Sequence, residues 1–210
     1  MSTEFDSWAV ARRLHALVSE EQFAGLQTYV ELLKVWNARI NLTGFSLAGD
    51  MDEALDRLIL EPVSAASLLP ESIHTVVDVG SGGGSPALPL AIAAPRLSLT
   101  LVESSTRKCV FLREAVRAIG LLSAKVVAER VEAVAGAPGH ETFDAATVRA
   151  VRLDTELIGH LSALVRPGGF LIYFDKASHK PAPEWRAFPL VSTRPIKAAD
   201  CRLNIYQRTP

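Results

Sequence analysis

Long apolar runs are missing from this 210-residue chain. No stretch reaches the ~18 residues that a membrane-spanning helix needs, so no transmembrane segment is expected. Cysteine is scarce: Cys109 and Cys201 are the whole complement, too few for a disulfide framework or a cysteine-built metal cluster. No metal is expected. The opening Met1-Ser2-Thr3-Glu4-Phe5-Asp6 lacks the basic and apolar regions of a secretory signal. With reduced thiols, a cytoplasmic protein is the simplest expectation. An excess of one charge is also lacking, since the formal net charge is −1. The distribution is uneven, however. Residues 1–71 carry 11 acids and 5 bases, and residues 72–210 carry 12 acids and 17 bases. The second part is mildly basic, which suits a polyanionic substrate without requiring one.

What is present is concentrated at residues 75–85, Thr75-Val76-Val77-Asp78-Val79-Gly80-Ser81-Gly82-Gly83-Gly84-Ser85. A β-branched run ends in an acid and breaks into glycines. Pro86-Ala87-Leu88-Pro89 then opens a helix. Strand, glycine loop and helix N-terminus form the nucleotide-binding layout of open α/β sheets. A second buried strand follows, ending at Glu103, 19 residues after Gly84. A carboxylate at that place can accept both hydroxyls of an adenosine ribose. The dinucleotide fingerprint can be forced onto Gly82, Gly84 and Ala87. An S-adenosylmethionine pattern, an acid before G-x-G-x-G, falls on Asp78, Gly80, Gly82 and Gly84. It fits better, because the strand must end near Val79 and the turn must begin at once.

From Thr75 the chain alternates strand and helix, with strands near 75–79, 98–102, 124–128, 143–148 and 169–174 and helices near 85–94, 105–119 and 151–165. Two late strands follow near 189–194 and 202–207. The fold class is therefore α/β: a class I, Rossmann-like, mainly parallel sheet with helices on both faces. Before it, residues 1–70 read as an N-terminal helical extension and residues 71–210 as the cofactor-binding domain. Trp8, Val10, Ala11, Leu14, Leu17 and Val18 have loose helical spacing. Glu20–Arg39 carries the apolar stripe Phe23, Leu26, Tyr29, Val30, Leu33, Trp36 and Ile40. Glu53–Leu69 is helical again, with Pro62 opening a new turn.

The loops after the strands form the ligand edge. Glu129-Arg130-Val131-Glu132 offers a backbone N–H and a carboxylate to an adenine ring, though taken alone a charged helix start is the better explanation. Arg149 follows the fourth strand, where this architecture holds its methyl acceptor. It can orient the cofactor carboxylate or the acceptor, and pairing with an acid is the bland alternative. Lys108 shares the phase of the apolar face of helix 105–119; it either snorkels or points over the ligand edge. Arg107, Arg113 and Arg117 lie on the opposite side, read as a solvated face. The strand-four loop has no Asn/Asp-Pro-Pro-Tyr/Phe to hold an exocyclic amine and no Pro-Cys nucleophile. An acceptor needing neither base nor covalent help remains, and guanine N7 is such an atom.

Asn41-Leu42-Thr43, the glycine loop with its twice-prolined helix start, Lys108-Cys109-Val110-Phe111-Leu112-Arg113 and Val148-Arg149-Ala150 together resemble the small-subunit ribosomal RNA methyltransferase G family, also called glucose-inhibited division protein B. The resemblance runs from about Glu20 to Lys176. It implies methyl transfer from S-adenosylmethionine to N7 of a guanine in 16S ribosomal RNA, free or in the small subunit. It carries cofactor contacts to Gly80, Ser85, Val131, Glu132 and Arg149. A monomer that does not bind membranes is expected. The chain departs from the family pattern in Arg57-Leu58-Ile59-Leu60-Glu61, where a histidine gives way to Leu58. It departs again in Ser85-Pro86-Ala87-Leu88-Pro89, in Val148-Arg149-Ala150-Val151 and in Lys176-Ala177. A small-molecule methyltransferase, a nicotinamide-dependent oxidoreductase and a non-catalytic RNA-binding protein are the rival readings.

Overall fold

The computed structural model describes residues 9–149, 151–176, 185–196 and 201–210. Trp8, Ala150, Ala177, Pro181 and Pro183 lie outside them. Seven strands form one sheet: β1 (Thr75–Val79), β2 (Ser98–Val102), β3 (Ala124–Val127), β4 (Phe143–Val148), β5 (Val165–Lys176), β6 (Leu190–Ile196) and β7 (Cys201–Gln207). Their order is β3-β2-β1-β4-β5-β7-β6. The first five pair in parallel, and β7 runs antiparallel between β5 and β6. The chain order reverses between β1 and β4, which opens a crevice beyond the C-terminal ends of those strands.

Alternation along the strands loads both faces of the sheet. Val76, Leu99 and Leu101 pack with the N-terminal helices α1 (Ala9–His15) and α2 (Glu20–Asn37), and with α5 (Ala87–Ala93) and α6 (Thr106–Ala118). Val77, Val79 and Val102 face α7 (Val131–Gly136) and α8 (Thr155–Leu164) instead. Strands buried on both faces read as near-continuous apolar runs, which is what β1 and β2 are. Helix α2 starts at a capping box: Ser19 Oγ accepts from Gln22 N at 3.3 Å, and Gln22 Oε1 accepts from Ser19 N at 2.8 Å. Its stripe is buried at Phe23, Leu26, Tyr29, Val30 and Leu33 and half-buried at Trp36, whose ring lies 5.9 Å from that of Phe111. One core cluster thus runs through residues 10–69 and the sheet alike.

Four local expectations are corrected. The helix expected over 151–165 begins only at Thr155, because the Asp154 side chain caps it by accepting from Leu157 N at 3.0 Å. Strand β5 starts at Val165, earlier than expected. The Pro167-Gly168-Gly169 turn survives as an irregularity inside it: Val165 pairs with Phe143, but Phe170 already pairs with Ala145. A short helix, α7, stands where the Glu129–Glu132 segment allowed only a helix start. Finally, the helix expected over 53–69 is three pieces: α3 (Asp52–Leu55), a π-helical turn (Asp56–Leu60) and α4 (Glu61–Ala66).

Pro62 explains how that interruption is used. It has no N–H, so the carbonyl of Leu58, four residues back, loses its helical donor. The N–H of Glu61 reaches back five residues to Asp56 O, which leaves the Arg57 carbonyl free as well. Two adjacent carbonyls are therefore open to partners from the sheet edge.

Candidate active site

The glycine loop is tied to the end of the second strand. Gly80 N and Ser81 N both donate to Val102 O, at 2.9 and 3.2 Å. Gly82 N donates to Glu103 Oε2 at 2.9 Å, and Ser105 N donates to Glu103 Oε1 at 2.8 Å. Gly80, Gly82 and Gly84 hold φ of +73°, +52° and +87°, a region that favours glycine. At Gly84 a Cβ would also lie 2.5 Å from Leu88 Cδ1. Gly82 is roomier: the nearest atom to its Cβ would be Gly80 O at 3.7 Å. Tyr29 on α2 donates its hydroxyl to Gly83 O at 2.6 Å and so clamps the loop to the helical extension. Burial raises the Tyr29 phenol, which stays protonated as a donor.

Beneath the loop, Asp78 is buried and accepts from the Thr147 hydroxyl at 2.6 Å. Its second oxygen has no partner among the described residues. Burial pushes its pKa up to about 6 against the opposing hydrogen bonds.

Two clefts open around this loop. The first, of about 280 Å³, is lined by Val79, Gly80, Val102, Glu103, Glu129, Val131, Glu132 and Val151, among others. It joins the strand-two acid to the first residues of α7, whose leading N–H groups have no intrahelical acceptors. Glu103, Val131 and Glu132, expected as separate contacts, therefore share one cavity. Each Glu103 oxygen already accepts one N–H and keeps a second lone pair for a ribose hydroxyl. Glu132 is exposed, with Glu156 and His160 close by at the cavity mouth.

The second cleft, of about 360 Å³, lies over the other side of the loop. Gly80, Ser81, Gly82, Gly83 and Ser85 form its base, and Tyr29, Leu33, Leu42, Phe45, Leu58, Lys108 and Arg149 its walls. Gly80 and Val151 line both clefts, so one ligand can extend from the first into the second. Gly84 lines neither; it is buried under the loop and shapes the turn.

Arg149 is held from beneath. Its side chain is only 12% exposed. Nη2 donates to Glu61 Oε2 at 2.6 Å, and Nη1 donates to the Arg57 carbonyl and to Ser85 Oγ, the latter at 3.2 Å. Its Cζ sits 4.7 Å from the Phe174 ring centre. Ser85 in turn donates to Leu58 O at 2.7 Å. The two carbonyls freed around Pro62 are thus taken by two residues that were expected to touch cofactor. The acid that the bland reading of Arg149 required is Glu61. Burial raises the Glu61 carboxyl while Arg149 and Arg57 pull it back down; burial also lowers Arg149. Lys108 is half-buried on the second cleft's wall, where the ligand-edge reading puts it. Arg113 and Arg117 are exposed, as a solvated face requires.

Tyr29, Glu61, Thr147 and Phe45 stand at the site without having been expected there. Tyr29 was hidden in a core stripe. Glu61 had a signal: a carboxylate four residues after Arg57 on an otherwise apolar helix. Nothing in the sequence marks Thr147 or Phe45.

A doubly wound parallel sheet with an antiparallel last pair, a glycine loop leaving β1 and an acid closing β2 make up the class I methyltransferase fold. Solved structures share the fold at identities that speak for the fold alone. An O-methyltransferase from Bacillus cereus in complex with SAH superposes with a TM-score of 0.58 at 15% identity, over 97% of this chain and all of that one. A putative methyltransferase, yhhF from Escherichia coli, gives 0.56 at 17%, over 72% and 86%. The chain belongs to the rRNA small subunit methyltransferase G family, whose profile matches residues 22–189. Proteins named ribosomal RNA small subunit methyltransferase G are similar along most of its length. That of Chloroflexus aggregans is 36% identical over 156 residues, 74% of this chain and 64% of that protein. That of Neisseria meningitidis is 36% identical over 155 residues, 73% and 70%. That of Stenotrophomonas maltophilia is 39% identical over 147 residues, 70% and 66%. The match thus spans just under two thirds of the Chloroflexus protein. With that membership the nicotinamide-dependent oxidoreductase reading falls away.

Proposed function

We propose that this protein transfers the methyl group of S-adenosylmethionine to N7 of a guanine in 16S ribosomal RNA, as free RNA or within the small subunit. The observation that carries the reading is the pair of clefts meeting at Gly80 and Val151, in a chain of this family. The first cleft takes the adenosine, with Glu103 accepting from the ribose and the start of α7 at Val131 and Glu132 facing the adenine. The glycine loop, Gly80 to Gly84, passes the methionine part across to the second cleft. There the acceptor meets the sulfonium methyl.

Guanine N7 carries no proton and its lone pair lies in the ring plane, so the step needs no general base. Attack forms the N–C bond as the S–C bond breaks, leaving a neutral thioether and a cationic ring. Alignment and exclusion of water are what the protein must supply. Ser85 and Arg149 act as positioning residues: they fix the loop to the Arg57 and Leu58 carbonyls and hold its shape. Neutralisation of Arg149 by Glu61 suits this chemistry, since an unpaired cation beside the product ring would raise its energy.

The test is incubation with labelled S-adenosylmethionine and small ribosomal subunits lacking the modification, followed by digestion and mass spectrometry of the nucleosides. Labelled 7-methylguanosine at one site is expected. Label in another nucleoside, or in added small metabolites only, overturns the assignment of the acceptor. Failure to bind the cofactor overturns the reading as a whole.

A further inference from the structure

The two clefts differ in charge and in the surface they offer a ligand. The first is lined by the acids Glu103, Glu129, Glu132, Asp154 and Glu156 together with Arg130 and Arg152. Among the described residues the second has no carboxylate in its lining, and its cations are Arg149 and Lys108. Arg149 is already paired with Glu61. Lys108 has no hydrogen bond or ion pair among the described residues. It is the third residue of α6, half-buried on the cleft wall.

Facing the glycine loop is the segment Leu42-Thr43-Gly44-Phe45. It is pinned by the Asn37 side chain, whose Oδ1 accepts from Leu42 N at 2.9 Å and from Thr43 N at 3.0 Å. The Thr43 hydroxyl accepts from Phe45 N at 3.2 Å, which fixes the backbone that carries the ring. Leu42 O comes within 3.0 Å of where a Gly83 Cβ would stand, so this segment closes directly on the loop. Of the two aromatic side chains in the cleft, Tyr29 is buried and committed to Gly83 O, whereas Phe45 is half-buried at the wall. A half-buried aromatic ring, one side packed on the core, apolar walls and one ammonium group unpartnered among the described residues match the two parts of a nucleotide: a flat base and a phosphate.

We infer that Phe45 stacks on the acceptor guanine and that Lys108 holds a phosphate of the same RNA segment. The inference deepens the reading of the site as an RNA methyltransferase and rests on it. Stacking leaves the ring edge, and hence N7, free to meet the methyl group in the same cleft, which Gly80 and Val151 also line. Phosphate contact by Lys108 anchors the strand without adding a cation at the base edge.

The experiment compares wild type, Phe45→Ala, Phe45→Tyr, Phe45→Leu and Lys108→Gln on unmodified small subunits. Methyl transfer is measured against substrate concentration and salt, and adenosylhomocysteine binding by calorimetry. Phe45→Ala and Phe45→Leu are expected to lose about 10-fold or more in kcat/KM, with Phe45→Tyr retaining most of it. Lys108→Gln is expected to raise KM for the subunit several-fold and to flatten its salt dependence, with kcat little changed. All four variants are expected to bind adenosylhomocysteine within about twofold of wild type. If Lys108→Gln weakens adenosylhomocysteine binding tenfold while 5′-methylthioadenosine binding is unaffected, Lys108 holds the cofactor carboxylate and its assignment to phosphate is wrong. If Phe45→Leu is as active as Phe45→Tyr, the ring only fills space and stacking is wrong. An inactive wild type that binds the cofactor would refute the choice of substrate instead, which separates that failure from both of these.

Discussion

At Glu61 a buried carboxylate faces two guanidinium groups, Arg57 four residues earlier in the chain and Arg149 from across the fold. A buried ion pair adds little to stability as a pair, but removing one partner strands the other charge away from water. Glu61→Ala is therefore expected to cost about 3–5 kcal/mol in denaturant unfolding. A loss below about 1 kcal/mol would mean that water reaches Arg149 and the pair is not buried in solution. Asp78 and Asp144 predict opposite pH dependences. The Asp78 carboxyl is raised by burial to about 6 from an ordinary 3.8, so the folded state holds its proton more tightly than the unfolded chain does. Its stabilising contribution is complete below pH 3.8 and disappears as pH rises through about 6. Asp144 is pushed up by burial but pulled further down by Arg166 and by the Thr75 and His74 backbone, to about 2. Its contribution is complete above pH 3.8 and is lost as pH falls toward 2. Stability measured from pH 2 to 7 should rise with pH through the Asp144 window and fall through the Asp78 window. Asp78→Asn should remove the second slope and leave the first. Persistence of the fall between pH 4 and 6 in that variant would assign it to another group.

The interrupted helix over 52–66 shows what an element does that its residues singly do not. Pro62 withdraws a donor, the π turn shifts another, and the exposed Leu58 and Arg57 carbonyls receive Ser85 and Arg149. Ser85→Ala leaves Leu58 O without its partner and should lower stability by about 1–2 kcal/mol. Pro62→Ala restores an N–H at the helical position, so the Ser85→Ala, Pro62→Ala double variant should recover part of that loss. Strict additivity in the double-mutant cycle would show that the proline and the serine are not linked through this carbonyl. Within the glycine loop the three positive-φ residues are not equivalent. Gly84→Ala combines unfavourable backbone with a buried clash at Leu88 and should lower the melting temperature more than Gly82→Ala does. Gly82→Asp should fold, because aspartate tolerates this backbone region and the site is open, yet bind no S-adenosylmethionine. Its carboxylate would stand beside Glu103 where the ligand approaches. Calorimetry showing cofactor binding intact in Gly82→Asp would refute the loop assignment.

For the whole molecule, the helical extension and the sheet share one core, and Tyr29 reaches from α2 into the glycine loop. A fragment beginning at Ser72 would expose Leu99, Leu101, Phe111 and Leu112, which pack in that core. It is expected to be insoluble or to lose near-ultraviolet circular dichroism and bind a hydrophobic dye. A fragment that folds cooperatively and binds the cofactor would make residues 1–70 an appendage.

Periodicity and turn chemistry are local, so the sequence alone determined the strand–glycine loop–helix unit, the parallel α/β class, the α2 stripe and the acid after β2. Each is written in short periodic stretches or in spacings along the chain. The same holds for Gly80, Gly82, Gly84 and Glu103, whose spacing carries the nucleotide layout. Contacts between distant segments are not written that way. The pairing of Arg149 with Glu61, 88 residues apart, ties a residue lining the second cleft to the interrupted helix. The meeting of the Leu42–Phe45 segment with Lys108 formed a second cleft that neither segment signals alone. Tertiary structure decided these because a buried charge and an open carbonyl accept whichever partner the packed sheet brings near. That choice depends on strand order and helix docking, not on neighbours in the chain.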